Sequence, residues 1–401
     1  MVILGIETSC DETAVAVIEM SPLKRSVQAA DIKILSNVVL SQVPIHRKFG
    51  GVVPNLAKRE HQKNLVPVLK SALKEAKLFH AKKQKTEQKF SSLQIRILHE
   101  IFEREAELIK RFLKEIPKIV PPQIDALAVT VGPGLEPALW AGVNFARALS
   151  YIWNKPVTPV NHLEGHVYTV MLGETQIQKH GFHLRTMKLP TLALIVSGGH
   201  TELVLMKKFG NYKIIGETRD DAAGEAFDKV AKMMKLGYPG GPIVSRLAEN
   251  VKQNKKIKIK LPRPMINSGD FDFSFSGLKT ATLYLLRDLE KKYSLAELRP
   301  LIAKEFQDAV VEVLVVKTIR AAKKYRVKSV ILGGGVAANT KLRETLVAAV
   351  KNNIPNLELY LPSRHLTGDN ALMIALAGYF SGDKTPWKKV RAEANLRLSW
   401  Q

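Results

Sequence analysis

The sequence contains a single cysteine, Cys10, among its 401 residues. One cysteine excludes an internal disulfide and any zinc site built from several thiolates. A free cysteine usually acts as a small buried apolar side chain, and we expect that role for Cys10.

Long apolar runs are also absent. No stretch of about 18 residues is free of charges and turn-forming residues, so we expect no membrane span. Met1–Ile6 has neither the basic and apolar segments of a secretory signal nor an Arg-rich organellar pattern. We therefore expect a cytoplasmic protein, with prior removal of an organellar leader as the alternative. The length and the 46% hydrophobic content suit two domains.

Acidic residues are few: 37 Asp and Glu face 61 Lys and Arg, a formal charge of +24. Such a chain repels itself unless an anion meets it, and nucleic acid is the commonest partner of this kind. Because no RNA-binding module accompanies the charge, we expect contacts across a folded surface, mainly to phosphates. A generally basic proteome is the alternative. The basic residues cluster at Lys252–Lys260, Lys323–Lys328 and Lys384–Arg391.

Two patterns occur twice. Val2–Ser9 reads as a strand ending in a polar turn, and Thr13–Ile18 returns as a second strand; Leu192–Leu205 repeats this hairpin. A strand followed by a glycine turn and a helix also recurs, first as Ile124–Val131, Gly132–Gly134 and Ala138–Ser150, then as Ser329–Leu332, Gly333–Gly335 and a helix from about Asn339. The repetition predicts a duplicated α/β domain.

Glycine-rich turns between a strand and a helix let the backbone approach a phosphate beside the helix N-terminus. Symmetric turns in two halves favour a nucleotide bound between two lobes, as in the superfamily of actin, heat-shock chaperone ATPases and sugar kinases. In that arrangement Ser197–Gly199 would face phosphate and Gly333–Gly335 would face adenosine.

We predict a first lobe at residues 1–188, a second at 189–376, and a C-terminal segment, 377–401, packing back on the first. Residues 82–118 differ from their surroundings: a polar linker precedes apolar residues at helical spacing from Leu93 to Ile116. One amphipathic helix, or two short ones, is expected here. It either covers the domain's own apolar surface or provides a docking surface for a partner protein or tRNA.

His162 and His166 are four residues apart in a segment where Asn161 is a good helix N-cap. Two histidines at this spacing share one helix face and form a half-site for zinc or iron. Ordinary core or surface histidines are the alternative. Glu164 does not occupy the position of the catalytic Glu in metallopeptidases, so we discount proteolysis. A third ligand could come from Asp369, which precedes the apolar helix Ala371–Phe380 and by sequence alone is a plain N-cap.

The sequence then resembles a known family, that of the tRNA adenosine threonylcarbamoyltransferases (TsaD in bacteria). The matching motifs fall in family order and span nearly the whole chain: Gly5–Thr13, Phe49–Pro54, Val131–Leu135, His162–His166, Val196–Thr201, Asp220–Lys229, Tyr238–Pro242, Phe273–Lys279, Gly334–Asn339 and Asp369–Asn370.

This resemblance implies two RNase H-like lobes and one divalent ion, iron or zinc, on His162, His166 and Asp369. It implies threonylcarbamoyl-AMP as the small-molecule substrate. The residues expected to contact that substrate are Ile195, Val196, Ser197, Gly198, Gly199, Asp228, Gly241 and Asn339.

Asp11 and Glu12 are candidate acid/base or metal-shell residues, with a polar turn as the alternative reading. The implied reaction transfers threonylcarbamoyl to the adenine 3′ of the anticodon in tRNAs that read codons beginning with adenine. Expected partners are tRNA, a related pseudo-enzyme that dimerises through the first lobe, and an ATPase subunit; neither DNA nor a membrane is expected. A kinase or ATPase of the same superfamily and a pure RNA-binding scaffold are the rival interpretations.

The sequence departs from the family in two places, at residues 82–118 and at Glu136-Pro137, where small residues are usual. We therefore hypothesise that the 82–118 segment remodels the partner interface.

Overall fold

A computed structural model describes residues 1–21, 31–82, 90–172, 182–249, 251, 257 and 259–398. The polar linker predicted after Lys82 and most of the basic cluster at 252–260 lie outside the described residues. By contacts the chain forms two compact units. One comprises Met1–Ile45, Val52–Thr186 and Asp369–Arg397; the other comprises His46–Gly51, Met187–Gly368 and the last described residue, Leu398.

The first unit is built on a six-stranded mixed sheet of order β5-β4-β1-β2-β3-β6. Its strands are β1 (Val2–Glu7), β2 (Glu12–Met20), β3 (Asp31–Ser41), β4 (Ala126–Gly132), β5 (Val157–Asn161) and β6 (Phe182–His183). Its helices up to the second unit are α1 (Val43–His46), α2 (Pro54–Glu75), α3 (Ser92–Ile101), α4 (Ala106–Glu115), α5 (Glu136–Trp153) and α6 (His162–Thr169).

The second unit repeats the plan with a five-stranded sheet of order β11-β10-β7-β8-β9. Its strands are β7 (Thr191–Val196), β8 (Thr201–Lys208), β9 (Asn211–Glu217), β10 (Ser329–Gly333) and β11 (Glu358–Tyr360). Its helices are α7 (Ala223–Met233), α8 (Gly240–Glu249), α9 (Ser276–Leu289), α10 (Leu295–Tyr325) and α11 (Thr340–Asn353).

Each sheet contains the same five-strand motif. The first three strands of the motif are antiparallel neighbours, and the fourth and fifth run parallel to the first. This is the topology of an RNase H-like lobe, present twice. The predicted α/β duplication is therefore confirmed, and it arises because each lobe alternates a buried apolar hairpin with strand–turn–helix units.

After the second unit the chain returns to the first through α12 (Ala371–Ser381), a helix whose residues are mostly buried. It packs closely on the first sheet. A Cβ atom at Gly5 on β1 would lie 2.4 Å from the carbonyl oxygen of Ala371, and one at Gly378 would lie 2.6 Å from the Cβ of Ala128 on β4. Glycine at both positions thus sets the helix-to-sheet distance, and with it the position of the residues just before α12.

The segment predicted as one or two amphipathic helices forms two, α3 and α4. Their apolar faces enter the core of the first unit: Leu98, Ile101, Phe102, Leu108 and Phe112 are all buried there. The structure therefore favours the interpretation in which these helices cover the domain's own apolar surface. Within the described residues, no helix is long and apolar enough to cross a membrane.

Candidate metal centre and active site

Three side chains of the first unit converge on one point. His162 and His166 lie on one face of α6, as their spacing predicts, with ring centroids 4.8 Å apart. Asn161 caps this helix by accepting hydrogen bonds from the backbone N–H groups of Leu163 and Glu164, which confirms its predicted role. The Oδ1 atom of Asp369 lies 3.5 Å from Nε2 of His162 and 3.3 Å from Nε2 of His166.

These distances fit a shared cation. Ligand atoms around one tetrahedral ion lie about 3.4 Å apart, since zinc–nitrogen and zinc–oxygen bonds are about 2.1 Å. The three ligand atoms here lie within 4.8 Å of one another, and both histidines are buried. Two imidazoles and one carboxylate suit zinc or ferrous iron and leave coordination positions for a substrate.

Asp369 reaches this point because it is not the helix cap that its position in the sequence indicated. The cap of α12 is the next residue, Asn370, whose side chain accepts from the backbone N–H of Met373 at 3.2 Å. The N-cap role expected for Asp369 by sequence alone was therefore wrong. With Asn370 at the cap, the Asp369 carboxylate faces the two imidazoles.

Behind the histidines lies Glu7, which the sequence did not single out. Glu7 is fully buried at the end of β1, and its Oε2 atom lies 3.1 Å from Nδ1 of His162. Thr130 donates its hydroxyl to the same oxygen at 2.6 Å, and the backbone N–H of Ser9 donates to Oε1. A carboxylate on Nδ1–H fixes the tautomer and leaves Nε2 directed at Asp369, the usual arrangement behind a metal-binding histidine.

Glu7 and His162 shift each other's pKa, and the carboxylate of Asp369 shifts both. Burial lowers the pKa of His162, but Asp369 and Glu7 raise it more, to about 9. Burial raises the pKa of Glu7, whereas His162 and Thr130 lower it, and the net direction is downward. In the absence of a metal ion the centre therefore holds a proton that a cation would displace.

The predicted acid/base pair lies where the turn after β1 meets β2: Asp11 is the last residue of the turn and Glu12 the first of β2. Burial raises the pKa of Glu12 well above its usual value, and Asp369 and Asp11 raise it further. Ser41 donates a hydrogen bond to Glu12 at 3.0 Å. A carboxyl group with such a raised pKa is suited to proton transfer near neutral pH.

Cys10 lies in the same turn and is half-buried, so it is less buried than the small apolar side chain that the sequence predicted. Burial and the carboxylates of Asp11 and Asp369 raise the pKa of its thiol well above the usual value. A thiol held in the protonated form is a poor nucleophile.

A second residue that the sequence did not single out holds this turn in place. His61 on α2 is completely buried, and its Nε2 lies 3.0 Å from the carbonyl oxygen of Cys10. Because a carbonyl only accepts, Nε2 carries the hydrogen, and Nδ1 accepts from the hydroxyl of Thr13 at 2.8 Å. The backbone N–H of Gln42 donates to the carbonyl of Asp11 at 2.8 Å. These bonds fix the backbone that presents the two carboxyl groups.

The residues predicted to contact the substrate lie in the second unit. Ile195–Gly199 form the end of β7 and the turn after it, Asp228 lies in the middle of α7, Gly241 in the first turn of α8, and Asn339 at the N-cap of α11. Ile195 and Val196 end β7, and the turn after them closes through the backbone N–H of Ser197, which donates to the carbonyl of His200 at 2.8 Å. A Cβ atom at Gly198, Gly199 or Gly241 would meet nothing within 4 Å. These glycines therefore border open space that a ligand could enter.

Two polar residues of this group, Asp228 and Asn339, also make structural hydrogen bonds. Asp228 accepts from the backbone N–H of Gly240 at 2.7 Å, at the start of α8. Asn339 caps α11, and its amide donates to Ser245 and to Gln307, each at 2.8 Å. Asp228 thus links α7 to the start of α8, and Asn339 links the start of α11 to α8 and α10. Helix N-termini are in general suited to binding phosphate.

The family model for TsaD, tRNA N6-adenosine threonylcarbamoyltransferase, matches residues 33–82 and 101–376. The chain belongs to this family.

TsaD proteins of several bacteria align with almost the full chain. The tRNA N6-adenosine threonylcarbamoyltransferase of Geobacillus kaustophilus is 43% identical over 376 residues, covering 94% of this chain and 90% of that protein. The enzyme of the same name from Persephonella marina is 41% identical over 382 residues, with 94% and 90% coverage. The TsaD family model leaves residues 83–100 unmatched and resumes at 101, inside the segment predicted to be inserted.

Proposed function

We propose that the protein transfers the threonylcarbamoyl group of threonylcarbamoyl-AMP to the exocyclic amine of the adenine 3′ of the anticodon, in tRNAs that read codons beginning with adenine. Family membership makes it a transferase of tRNA threonylcarbamoyladenosine biosynthesis. The observation that carries the proposal further is the convergence of His162, His166 and Asp369.

The reaction forms one bond and breaks one. The adenine nitrogen attacks the carbamoyl carbon, the bond from that carbon to the phosphate oxygen breaks, and AMP leaves with the electron pair. The nitrogen loses a proton, and we assign its acceptance to an ionised carboxylate of the Asp11–Glu12 pair. A divalent ion on His162, His166 and Asp369, iron or zinc, would supply a Lewis acid for the carbonyl or an anchor for the threonyl carboxylate.

The chain's own groups position the donor. The open glycines of the turn 197–199 and Gly241 leave room for the adenylate, and N–H groups at the helix N-termini of the second unit suit its phosphate. We assign the contacts to Ile195, Val196, Ser197, Gly198, Gly199, Asp228, Gly241 and Asn339. Glu7 orients His162, and His61 holds the turn that bears Asp11 and Glu12.

One reconstituted reaction tests the proposal. The protein is incubated with threonine, bicarbonate, ATP, the adenylate-forming enzyme, unmodified tRNA, and its expected partners, a related pseudo-enzyme and an ATPase subunit. Threonylcarbamoyladenosine is then measured by mass spectrometry of the digested tRNA. We expect product from the wild type and loss of product in His162→Ala.

The same reaction separates the rival interpretations. A kinase or ATPase, incubated with ATP and Mg²⁺ in the absence of the other proteins, would consume ATP and be insensitive to His162→Ala. An RNA-binding scaffold would tolerate both His162→Ala and Asp228→Ala. Either pattern, or no product with every partner supplied, overturns the proposal.

A further inference from the structure

A cleft in the first unit combines aromatic rings with several cations. It has a volume of about 550 Å³, and Tyr151, Lys155, Lys384 and Trp387 are among the residues that line it. The backbone N–H of Thr385 donates to the carbonyl of Val157 at 2.8 Å, so the C-terminal segment is held against the edge of the sheet as one wall.

The aromatic part of the cleft is a pair of rings. Tyr151 and Trp387 have centroids 5.4 Å apart and planes inclined by 53°. The guanidinium of Arg147 lies 5.8 Å from the centre of the Trp387 ring, and the ammonium of Lys388 lies 5.5 Å from it. An indole with cations beside it is suited to stacking on a nucleobase while the cations meet phosphate.

The cations around the cleft form no close ion pairs in the described part of the chain. Within the part of the chain that the structure describes, no ion pair within 4 Å involves any of six basic residues: Arg147, Lys155, Lys384, Lys388, Lys389 and Arg391. Burial and the nearby charge of Arg391 lower the pKa of Arg147, and the carboxylate of Glu105 offsets part of this by raising it. Two guanidinium groups that repel each other are stabilised when an anion lies between them.

The cleft is separate from the metal centre. It includes Pro156, which directly precedes β5, whereas His162 directly follows the other end of that strand. A strand of five residues spans about 17 Å at about 3.3 Å per residue. An occupant of the cleft therefore lies far from the reacting atoms.

We propose that this cleft binds tRNA at a distance from the modified base, with one unstacked nucleobase against Trp387 and Tyr151 and the flanking phosphates on the surrounding lysines and Arg391. The inference rests on the proposed function, because it takes tRNA as the substrate. The formal charge of +24 and the absence of ion pairs for these six cations favour a polyanion over a neutral ligand.

The test compares two charge-removing double variants that leave the core untouched. Lys388→Gln with Lys389→Gln removes two exposed cations that directly follow Trp387, at the border of the cleft. Lys213→Gln with Lys351→Gln removes two exposed cations from β9 and α11 of the second unit and is the matched control. Binding of unmodified tRNA is measured by fluorescence anisotropy between about 50 and about 300 mM salt, the range in which phosphate contacts weaken steeply.

We expect the cleft variant to raise the Kd for tRNA about tenfold and to reduce the salt slope by about 1 to 2, since each lost phosphate contact lowers the slope by about 0.7 to 0.9. The Lys213→Gln, Lys351→Gln control should change the Kd and the salt slope much less. In the transfer reaction the cleft variant should raise KM for tRNA and leave kcat unchanged, because the cleft lies away from the reacting atoms.

A third variant tests the aromatic contact. Trp387→Ala should weaken binding about tenfold, whereas Trp387→Phe, which keeps an aromatic face, should retain most of the affinity. Tryptophan fluorescence of the wild type should be quenched by tRNA, and the quenching should diminish in Trp387→Phe.

Unchanged tRNA affinity and salt slope in the double variant overturn the inference, even if the cleft then proves to bind an acidic protein. Product formation by the wild type distinguishes the two failures. If the wild type makes threonylcarbamoyladenosine and the cleft variant matches it in KM, only this inference fails; if the wild type makes none, the proposed function fails.

Discussion

Glu7 and His162 lie 155 positions apart in the chain, yet Oε2 of Glu7 is 3.1 Å from Nδ1 of His162. The contact orients the imidazole so that its other nitrogen is directed at His166 and Asp369. Glu7, a buried carboxylate that is not one of the three proposed metal ligands, thus fixes the orientation of one of them.

Replacing Glu7 by Gln should weaken metal binding without unfolding the protein. Glutamine keeps an oxygen that can accept from Nδ1–H but loses the negative charge, and such changes cost about 10- to 100-fold in metal affinity. Competition with a chelator, followed by metal analysis, measures this. Glu164→Gln, on the same helix as the two histidines, is the control. Equal affinity in Glu7→Gln and the wild type would contradict the role assigned to Glu7.

Metal loading should release a proton. The pKa of His162 in the metal-free protein is about 9, so its imidazole is protonated near neutral pH and must lose that proton to bind an ion. Apparent affinity should rise with pH and level off above about pH 9. Titration calorimetry in two buffers of different ionisation enthalpy gives the proton count. A count of zero would contradict a protonated His162.

The metal-free protein should lose stability as the solution becomes alkaline. The folded-state pKa of His162, about 9, lies above the value of about 6.5 expected in an unfolded chain. Its contribution is therefore fully present below about pH 6.5 and is lost as pH rises through about 9. Thermal unfolding of chelator-treated protein across this range measures the loss. Metal-loaded protein should show less change, and identical profiles would argue against the assignment.

Replacing His61 by Ala should lower kcat more than it changes KM. The turn bearing Asp11 and Glu12 would lose the bond from His61 to the Cys10 carbonyl, and a displacement of about 1 Å near reacting groups costs about 100-fold. His61→Gln, which retains a donor, should restore part of the rate. Because His61 is buried, thermal unfolding is recorded for both variants. A rate loss that merely follows the loss of stability in both would assign His61 a structural role only.

Gly334→Ala should destabilise the second unit by more than about 1 to 3 kcal/mol, the usual range for a forced backbone conformation. Gly334 has φ +87°, and a Cβ there would lie 2.4 Å from the carbonyl oxygen of Val196. The neighbouring Gly335→Ala is a matched control, since a Cβ there would meet nothing within 4 Å. Denaturant titration of both variants measures the difference, and equal midpoints would contradict the clash.

The fold could be predicted from the sequence because the patterns that indicate its strands, turns and helices are local. Each lobe repeats a buried hairpin followed by strand–glycine–helix units, and these patterns need only neighbouring residues to be recognised. The Asn161 cap of α6 and the helices within residues 82–118 were predictable for the same reason.

The candidate site was predictable only in part. The spacing of His162 and His166 shows that they share a helix face, but Asp369 is supplied by a segment some two hundred residues later. Asp369 and Asn370 are both able to cap α12, and the local sequence does not determine which of them does so. Glu7 and His61 went unnoticed because their partners, His162 and the Cys10 carbonyl, are brought near only by packing.

The order of the ligands along the chain has a consequence for synthesis on the ribosome. Asp369 follows Met187–Gly368, the main segment of the second unit. Helix α12 must then pack on β1 and β4 before the carboxylate of Asp369 reaches the histidines. A nascent chain that ends before residue 369 carries two of the three ligands. Retention of a metal ion by the proposed three-ligand centre would therefore report that translation has passed residue 369 and that α12 has packed on the first sheet.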